Sequence, residues 1–374
     1  MKSANKMIIK ILITLFVALS IGAILILLIG ENPIKAYSAL LKGAFGTKLG
    51  FGNTISGWTP LLLTSVAFCV AALGGAFNVG VEGEVILGGL VSAYIGINWG
   101  FLPVPLLYIA CFLGSMIVSA IWALIPALLK VNYNVSEICV TILMNSVAVY
   151  IGSYFVSGPM SAGTANPQSK PVLVNISKII LPSSANYGIF IAIGIVALII
   201  FILYKTKQGF EIKMIGLNKR NAEYIGVNSK WTFIKAMLIS GMLGGIAGCI
   251  EVLGVHGYYL DGFATGLGAN GMLAALIVKA NPVFAPITAF FLAVLKSGSM
   301  AMQQSTNVPK SIVDTISAIF IIIATMDIVI EIFNKNEQKD KSIGVEKNST
   351  VDVGENVIEE STKLKEYDIS EEVK

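Results

Sequence analysis

Residues 1–333 carry too little charge to cover a water-exposed surface, and that scarcity decides the fold class. Of the 48 charged side chains in the 374-residue chain, 18 crowd into residues 334–374, as 7 Lys and 11 Asp or Glu. The other 333 residues hold 19 basic and 11 acidic groups. Soluble domains carry about 25% charge, whereas this chain has 13%, with 55% apolar residues and a mean hydropathy of +0.79. The pattern predicts an all-α, polytopic transmembrane bundle over 1–333. An acidic tail over 334–374 follows; it lacks a sustained apolar period and reads as a disordered cytoplasmic segment.

A membrane-crossing helix needs about 20 apolar residues. Runs near 8–30, 58–76, 84–99, 102–129, 135–157, 187–204, 232–253, 267–280, 283–301 and 311–333 predict about ten spans, or eight to nine where short, glycine-interrupted runs fail to cross. The first run is too long for the apolar region of a signal peptide and is expected to be an uncleaved span. Loop 205–231 holds Lys205, Lys207, Lys213, Lys219, Arg220 and Lys230 against Glu211 and Glu223. Lys/Arg excess marks cytoplasmic loops, so this loop, Lys130 and both termini are expected inside. Loop 158–186 then falls outside.

The same inventory excludes several activities. Cys69, Cys111, Cys139 and Cys249 lie in apolar runs without CxxC spacing, so no disulfide framework or zinc site is expected. One histidine, His256, cannot make a His-rich metal site. No GxxxxGK[ST] is present, so ATP hydrolysis by a P-loop is not expected. The positive charge sits in short loops, where it sets topology; it does not point to nucleic acid. No HExxH and no Ser/His/Asp grouping supports an intramembrane enzyme.

Polar groups within apolar runs are costly and mark paths or packing contacts. Phe77-Asn78-Val79-Gly80-Val81-Glu82-Gly83-Glu84 puts two glycines and two carboxylates between apolar runs. It reads as a helix break whose groups line a path or lock the break; an ordinary cytoplasmic turn is the alternative. Glu137, Thr141 and Asn145 share one helix face at i, i+4, i+8, either turned to a pore or bonded to a neighbouring helix. Residues 241–271 carry ten glycines around Glu251, His256 and Asp261. The first four, at three- and four-residue spacing, allow close helix approach; Glu251 is expected near water at the outer end. Gly80-Val-Glu-Gly83 before an apolar run is echoed by Gly266-Leu-Gly268-Ala-Asn-Gly271 before another. Such an echo after spans of opposite direction is what an inverted repeat with broken helices produces. In loop 205–231, Asn218 can cap a short helix from Lys219 and Gly226 can end it, with Ala222, Tyr224 and Ile225 free to pack on a cytosolic partner or on headgroups.

These segments resemble a family. FNVGVEGEVILGG is similar to the asparagine–glycine–acid–glycine signature of membrane permeases in ATP-binding-cassette (ABC) importers of the ribose and nucleoside class. NVSEICVTILMN, GLNKRNAEYIGVNS and GLGANGMLAALIVKANP resemble its other motifs, in order, as do Met302-Gln303 and Val308-Pro309. The match runs from about residue 5 to 333, and the glutamate form of the first motif points to nucleosides over ribose. The resemblance implies one of two related permease subunits in a heterodimer. It implies a separate cytoplasmic ABC ATPase carrying the ATP and Mg, no cofactor in this chain, and an extracellular substrate-binding lipoprotein, all at a bacterial plasma membrane. It implies path or gating roles for Asn78, Glu82, Glu84, Glu137, Thr141 and Asn145. It also implies an ATPase-coupling helix over 216–228, with Gly216, Asn218, Ala222, Tyr224 and Gly226. Departures are Lys219 for the usual proline, Lys279 where Arg is common, and the acidic tail. Ribose-type sugars and a stand-alone, ion-coupled carrier are the competing readings; a carrier has no need of segment 216–228.

Overall fold

The computed structural model describes residues 16–306, 308–309, 311–319 and 322. The acidic tail and residues 323–333 of the last apolar run lie outside the described residues. Helices dominate: α1 (Phe16–Leu28), α2 (Pro33–Phe45), α3 (Lys48–Leu73), α4 (Val81–Asn98), α5 (Val104–Tyr133), α6 (Glu137–Ser157), α7 (Gly188–Lys205), α8 (Lys207–Leu217), α9 (Lys219–Tyr224), α10 (Ser229–Ile250), α11 (Leu267–Ile277) and α12 (Ala285–Ser305). Residues 311–319 are also helical. Among the described residues, β pairing is limited to three isolated bridges.

The all-α bundle is as expected, but a count of ten spans is not reached among the described residues. Six helices are long and apolar enough to cross a membrane: α3, α5, α6, α7, α12, and α10 taken through His256. A seventh crossing is possible only if α1 and α2 act together, across a 118° bend. That bend was not legible as a run of apolar residues. Gly30 turns at φ +86°, and the Asn32 side chain then caps α2 by accepting from the N–H groups of Ile34 and Lys35. The run at 267–280 forms only eleven helical residues. At 1.5 Å per residue this is about half of a 30 Å hydrocarbon core. Helix α3 begins ten residues before its apolar run, because Thr47 caps it and its small first turns fit under α2: a Cβ on Gly50 would strike the Gly43 carbonyl.

Burial separates an inner from an outer set. In α3 and α10, 78% of the apolar window is inside the chain; in α6 it is 22% and in α7 28%. Helix α10 packs chiefly on α5, α4 and α3, and α3 packs on α12, α10 and α11. Each central helix therefore embraces the pair that follows the other, which is the exchange two repeated halves give. The glycines of α10 permit the approach, as expected from their spacing: Gly241 and Gly245 sit against the α5 backbone, Gly244 and Gly248 against α4.

Two connections have more order than their composition shows. Residues 158–186 fold back over the end of α10: the Ser169, Val172 and Ile176 N–H groups donate to the Tyr259, Gly257 and Leu253 carbonyls. There α10 widens into a six-residue π-helical turn, Glu251–His256, ended by Gly257 at φ +76°. Glu251 does not reach water as expected; it is buried, 3.9 Å from the His256 ring nitrogen.

Candidate functional site

Helix α4 starts without a side-chain cap of its own, since its N-cap is Gly80. Its first N–H groups need partners from elsewhere, and the preceding chain and α6 supply them. Asn78, wholly buried, accepts from the Gly80 N–H at 2.9 Å. Its amide donates to Glu84 Oε1 at 2.8 Å and to Ser240 Oγ of α10 at 2.9 Å. Asn145 reaches across from α6: its Oδ1 accepts from the Gly83 N–H at 2.8 Å, and its Nδ2 donates to the Val79 carbonyl at 2.9 Å. The two amides thus hold the chain on both sides of the break.

Glu84 is 1% exposed. Its backbone carbonyl accepts from Ser119 Oγ of α5. Its Oε2 has no hydrogen-bond partner among the described residues, and neither has the indole nitrogen of Trp122, which lies against Gly83.

The second break mirrors the first. Helix α11 also begins at a glycine, Gly266 at φ +77°, without a side-chain cap. Glu82 of α4 supplies one: its Oε2 accepts from the Ala269 N–H at 3.4 Å. Gly268 rests against the backbone of Glu82, and Gly271 against Thr64 and Ser65 of α3, so closely that a Cβ at either position would collide. Both borrowed caps fall on the third residue of the helix, and the Glu82 carboxylate stands where the α11 dipole is positive.

The predicted polar groups therefore divide. Asn78, Glu82, Glu84 and Asn145 come together at the junction of α4, α6, α10 and α11. Thr141 joins them as packing: it is buried against Gly80 and bonds back to the Glu137 carbonyl at 2.8 Å. Glu137 does not lie with them. It sits at the α5–α6 turn, where its carboxylate pairs with Lys130 Nζ at 3.0 Å. The i, i+8 spacing put it on the right face, but at the wrong level, because α6 starts at that residue. Of the alternatives open from sequence, the geometry of 78–84 is that of a locked break and not of an exposed turn.

Sequence reasoning missed Ser240, a lone hydroxyl among apolar neighbours, and the cleft beside Glu82. That small recess, of about 40 Å³ and partly open, is lined by Glu82, Ile86, Val149, Tyr259 and residues 261–265. Asp261 was visible as a charge, but its meeting with Glu82 across 179 positions left no local signal. Among the described residues no group of three His, Cys, Asp or Glu could hold a metal ion.

Segment 216–228 behaves locally as its residues require. The Asn218 Oδ1 accepts from the Asn221 N–H at 3.1 Å and starts α9, and Gly226 stops it at φ +85°. Ala222 is fully buried, whereas Leu217, Tyr224 and Ile225 are 80%, 81% and 58% exposed. Gly216 is wedged under the Leu73 carbonyl at the end of α3. The apolar tip of α9 is thus mounted on an inner helix.

Residues 50–325 match the family model described as "Branched-chain amino acid transport system / permease component". The chain belongs to this family. It is a multi-pass membrane permease component, a transport subunit. It is 31% identical over 320 residues to the guanosine ABC transporter permease protein NupP of Bacillus subtilis, covering 83% of this chain and 91% of that one. It is 28% identical to the glucose ABC transporter permease protein TsgB13 of Haloferax volcanii, over 83% and 85% of the two chains. It is 27% identical to the nucleoside ABC transporter permease protein NupB of Lactococcus lactis, over 89% and 94%. The organisms of NupP and NupB each carry a second similar permease protein, NupQ and NupC.

Proposed function

We propose that this chain is one permease subunit of an ABC importer for nucleosides. The observation that carries the reading is the similarity to NupP over 83% of this chain and 91% of that one. The occurrence of similar permeases in pairs supports a heterodimer with a second permease. A cytoplasmic ABC ATPase supplies ATP hydrolysis with Mg, and an extracellular binding lipoprotein delivers substrate. The chain lies in a bacterial plasma membrane with both termini inside.

The exposed tip of α9 fits the coupling role. Tyr224 and Ile225 present apolar surface beside Lys219 and Arg220, and Gly216 ties movement of α8–α9 to the end of α3. Asn78 and Asn145 spend their hydrogen bonds on the backbone of the first break and on neighbouring side chains, so these two amides hold the path without binding substrate.

The experiment is purification of the tagged full-length chain with its associated proteins, followed by labelled-nucleoside uptake into liposomes holding ATP. A stoichiometric ATPase and second permease with ATP-dependent nucleoside uptake is the expected result. Uptake of glucose or ribose but not nucleosides would move the substrate to sugars. A chain that purifies alone and transports without ATP would make it a stand-alone carrier.

A further inference from the structure

We infer that α2 is an amphipathic helix lying along the membrane surface, and that its lysines hold the phosphate headgroups of anionic phospholipids. A 118° change of direction between α1 and α2 sets α2 crosswise to α1. The rotation of α2 about its own axis is fixed by three contacts. A Cβ on Gly43 would strike Ala301 of α12, Gly298 of α12 rests against Leu40, and the Tyr37 hydroxyl donates to the Leu19 carbonyl of α1 at 2.7 Å. Ala36, Leu40 and Ala44, at i, i+4, i+8, are the buried face that results.

Two uncovered arcs remain, and they differ in chemistry. Ile34, Leu41 and Phe45, at i, i+7, i+11, are 80%, 54% and 44% exposed. Leu49 and Phe51 at the start of α3 extend this apolar surface, with the Phe45 and Phe51 rings 6.4 Å apart. Lys35 and Lys42 share the next arc, about 100° further round the helix, and Lys48 follows at the start of α3. All three lysines are exposed, and none makes an ion pair among the described residues. Residues 31–48 thus offer three positive charges against one negative, Glu31.

A bilayer surface meets both arcs at once: acyl chains take the apolar arc and headgroup phosphates the basic one. Lys35 and Lys42 stand about 10 Å apart along the axis, far enough for each to take its own phosphate. A purely acidic surface would pair the lysines and leave Ile34, Leu41 and Phe45 bare. Helix α3 starts beside α2 and ends 26 residues later, about 39 Å away, where Gly216 of α8 is wedged. Helices α2 and α9 therefore lie at opposite membrane faces. With α9 cytoplasmic, as proposed above, α2 lies in the outer leaflet, where a lysine excess does not serve topology and has a local use. Only this choice of leaflet rests on the importer reading. Lipid held on α2 braces α12 through the Gly43–Ala301 and Leu40–Gly298 contacts.

The test melts the purified full-length chain in mild detergent with dioleoylphosphatidylglycerol, dioleoylphosphatidylcholine or inorganic phosphate added. Phosphatidylglycerol is expected to raise the midpoint several degrees more than phosphatidylcholine, and inorganic phosphate not at all. Lys35→Gln/Lys42→Gln is expected to lose most of that difference while melting like wild type in phosphatidylcholine. Lys205→Gln/Lys207→Gln, at the other end of the bundle, is expected to keep it. Equal shifts with the two lipids, the same shift with inorganic phosphate, or a full difference in the Lys35/Lys42 variant would overturn the proposal. In liposomes, brominated acyl chains should quench Leu41→Trp beyond the wild-type signal; no added quenching would take the apolar arc out of the bilayer and overturn it too. A photo-crosslinker in place of Leu41 that gives a discrete protein adduct in cell membranes would assign the arc to a protein instead. A membrane-impermeant maleimide should label Lys42→Cys from outside intact cells in a Cys139→Ser background. Labelling only after lysis would overturn the outer-leaflet placement and the orientation of the importer reading, and leave the lipid contact standing.

Discussion

The two helix breaks solve one problem with different means. Both α4 and α11 begin at glycines that offer no cap, and both have their third N–H satisfied by a side chain from another helix. At the first break the donor–acceptor distance is 2.8 Å, and the capping group, Asn145, is neutral and ties Val79 as well. Asn78, Glu84 and Ser240 close the network behind it. At the second break a single half-buried carboxylate reaches out to 3.4 Å, and the helix is seated by bare glycines against α3 and α4. The first is a fixed frame made of side chains. The second is a backbone-on-backbone seat with a loose cap that also faces a cleft.

If that contrast is right, the second break should fail by steric overload and the first by loss of hydrogen bonds. The largest effect is expected from Gly271→Val, which drives a branched side chain into Thr64 and Ser65. Overpacking of this kind costs about 1–3 kcal/mol or more, and two methyls against α3 should leave little monodisperse protein in fluorescence-detected size exclusion. A normal elution profile would mean that α11 is not seated as described.

Next comes Asn145→Leu. It leaves the Gly83 N–H and the Val79 carbonyl unpaired inside the bundle, at about 1–3 kcal/mol for an unsatisfied buried group. The detergent-solubilised complex should melt several degrees lower, and Asn145→Asp, which keeps the acceptor for Gly83, should recover part of the loss. Equal melting of all three proteins would remove the frame from the first break.

Ser240→Ala is milder, because Asn78 keeps two of its three bonds; about 0.5–1.5 kcal/mol of thermal stability should go. Glu82→Gln should be smallest in stability, since the amide oxygen can still accept from Ala269, yet uptake should fall several-fold at unchanged complex yield. Wild-type uptake in that variant would make the second cap purely structural.

The sequence was most legible where chemistry is local. Asn218 and Gly226 bound α9 because a side-chain oxygen caps a helix and a glycine accepts positive φ, and both are visible without a fold. The Asn78–Glu84 break was legible for the same reason, as charge and glycine amid apolar residues. What failed was depth and length. Glu137 shares a face with Asn145, but a face does not tell how far along the bundle a residue sits. The apolar run at 267–280 looked like a span, yet the left-handed turns at Lys279 and Ala280, both at φ +54°, lie beyond a helix of eleven residues. The cleft could not be read at all, because its two carboxylates, Glu82 and Asp261, lie 179 positions apart in the chain. Only the packing of α4 beside the 259–265 turn brings them together.

The cysteines of this chain are all unpaired, and three of them, Cys69, Cys111 and Cys249, are buried while Cys139 is exposed. Cys139 lies two residues past the Lys130–Glu137 ion pair, at the beginning of the helix that carries Asn145. The native protein therefore comes with one ready attachment point for a maleimide dye or spin label, on the very helix that braces the first break. Fluorescence or distance measurements of the working transporter could begin there without first stripping the chain of its other thiols.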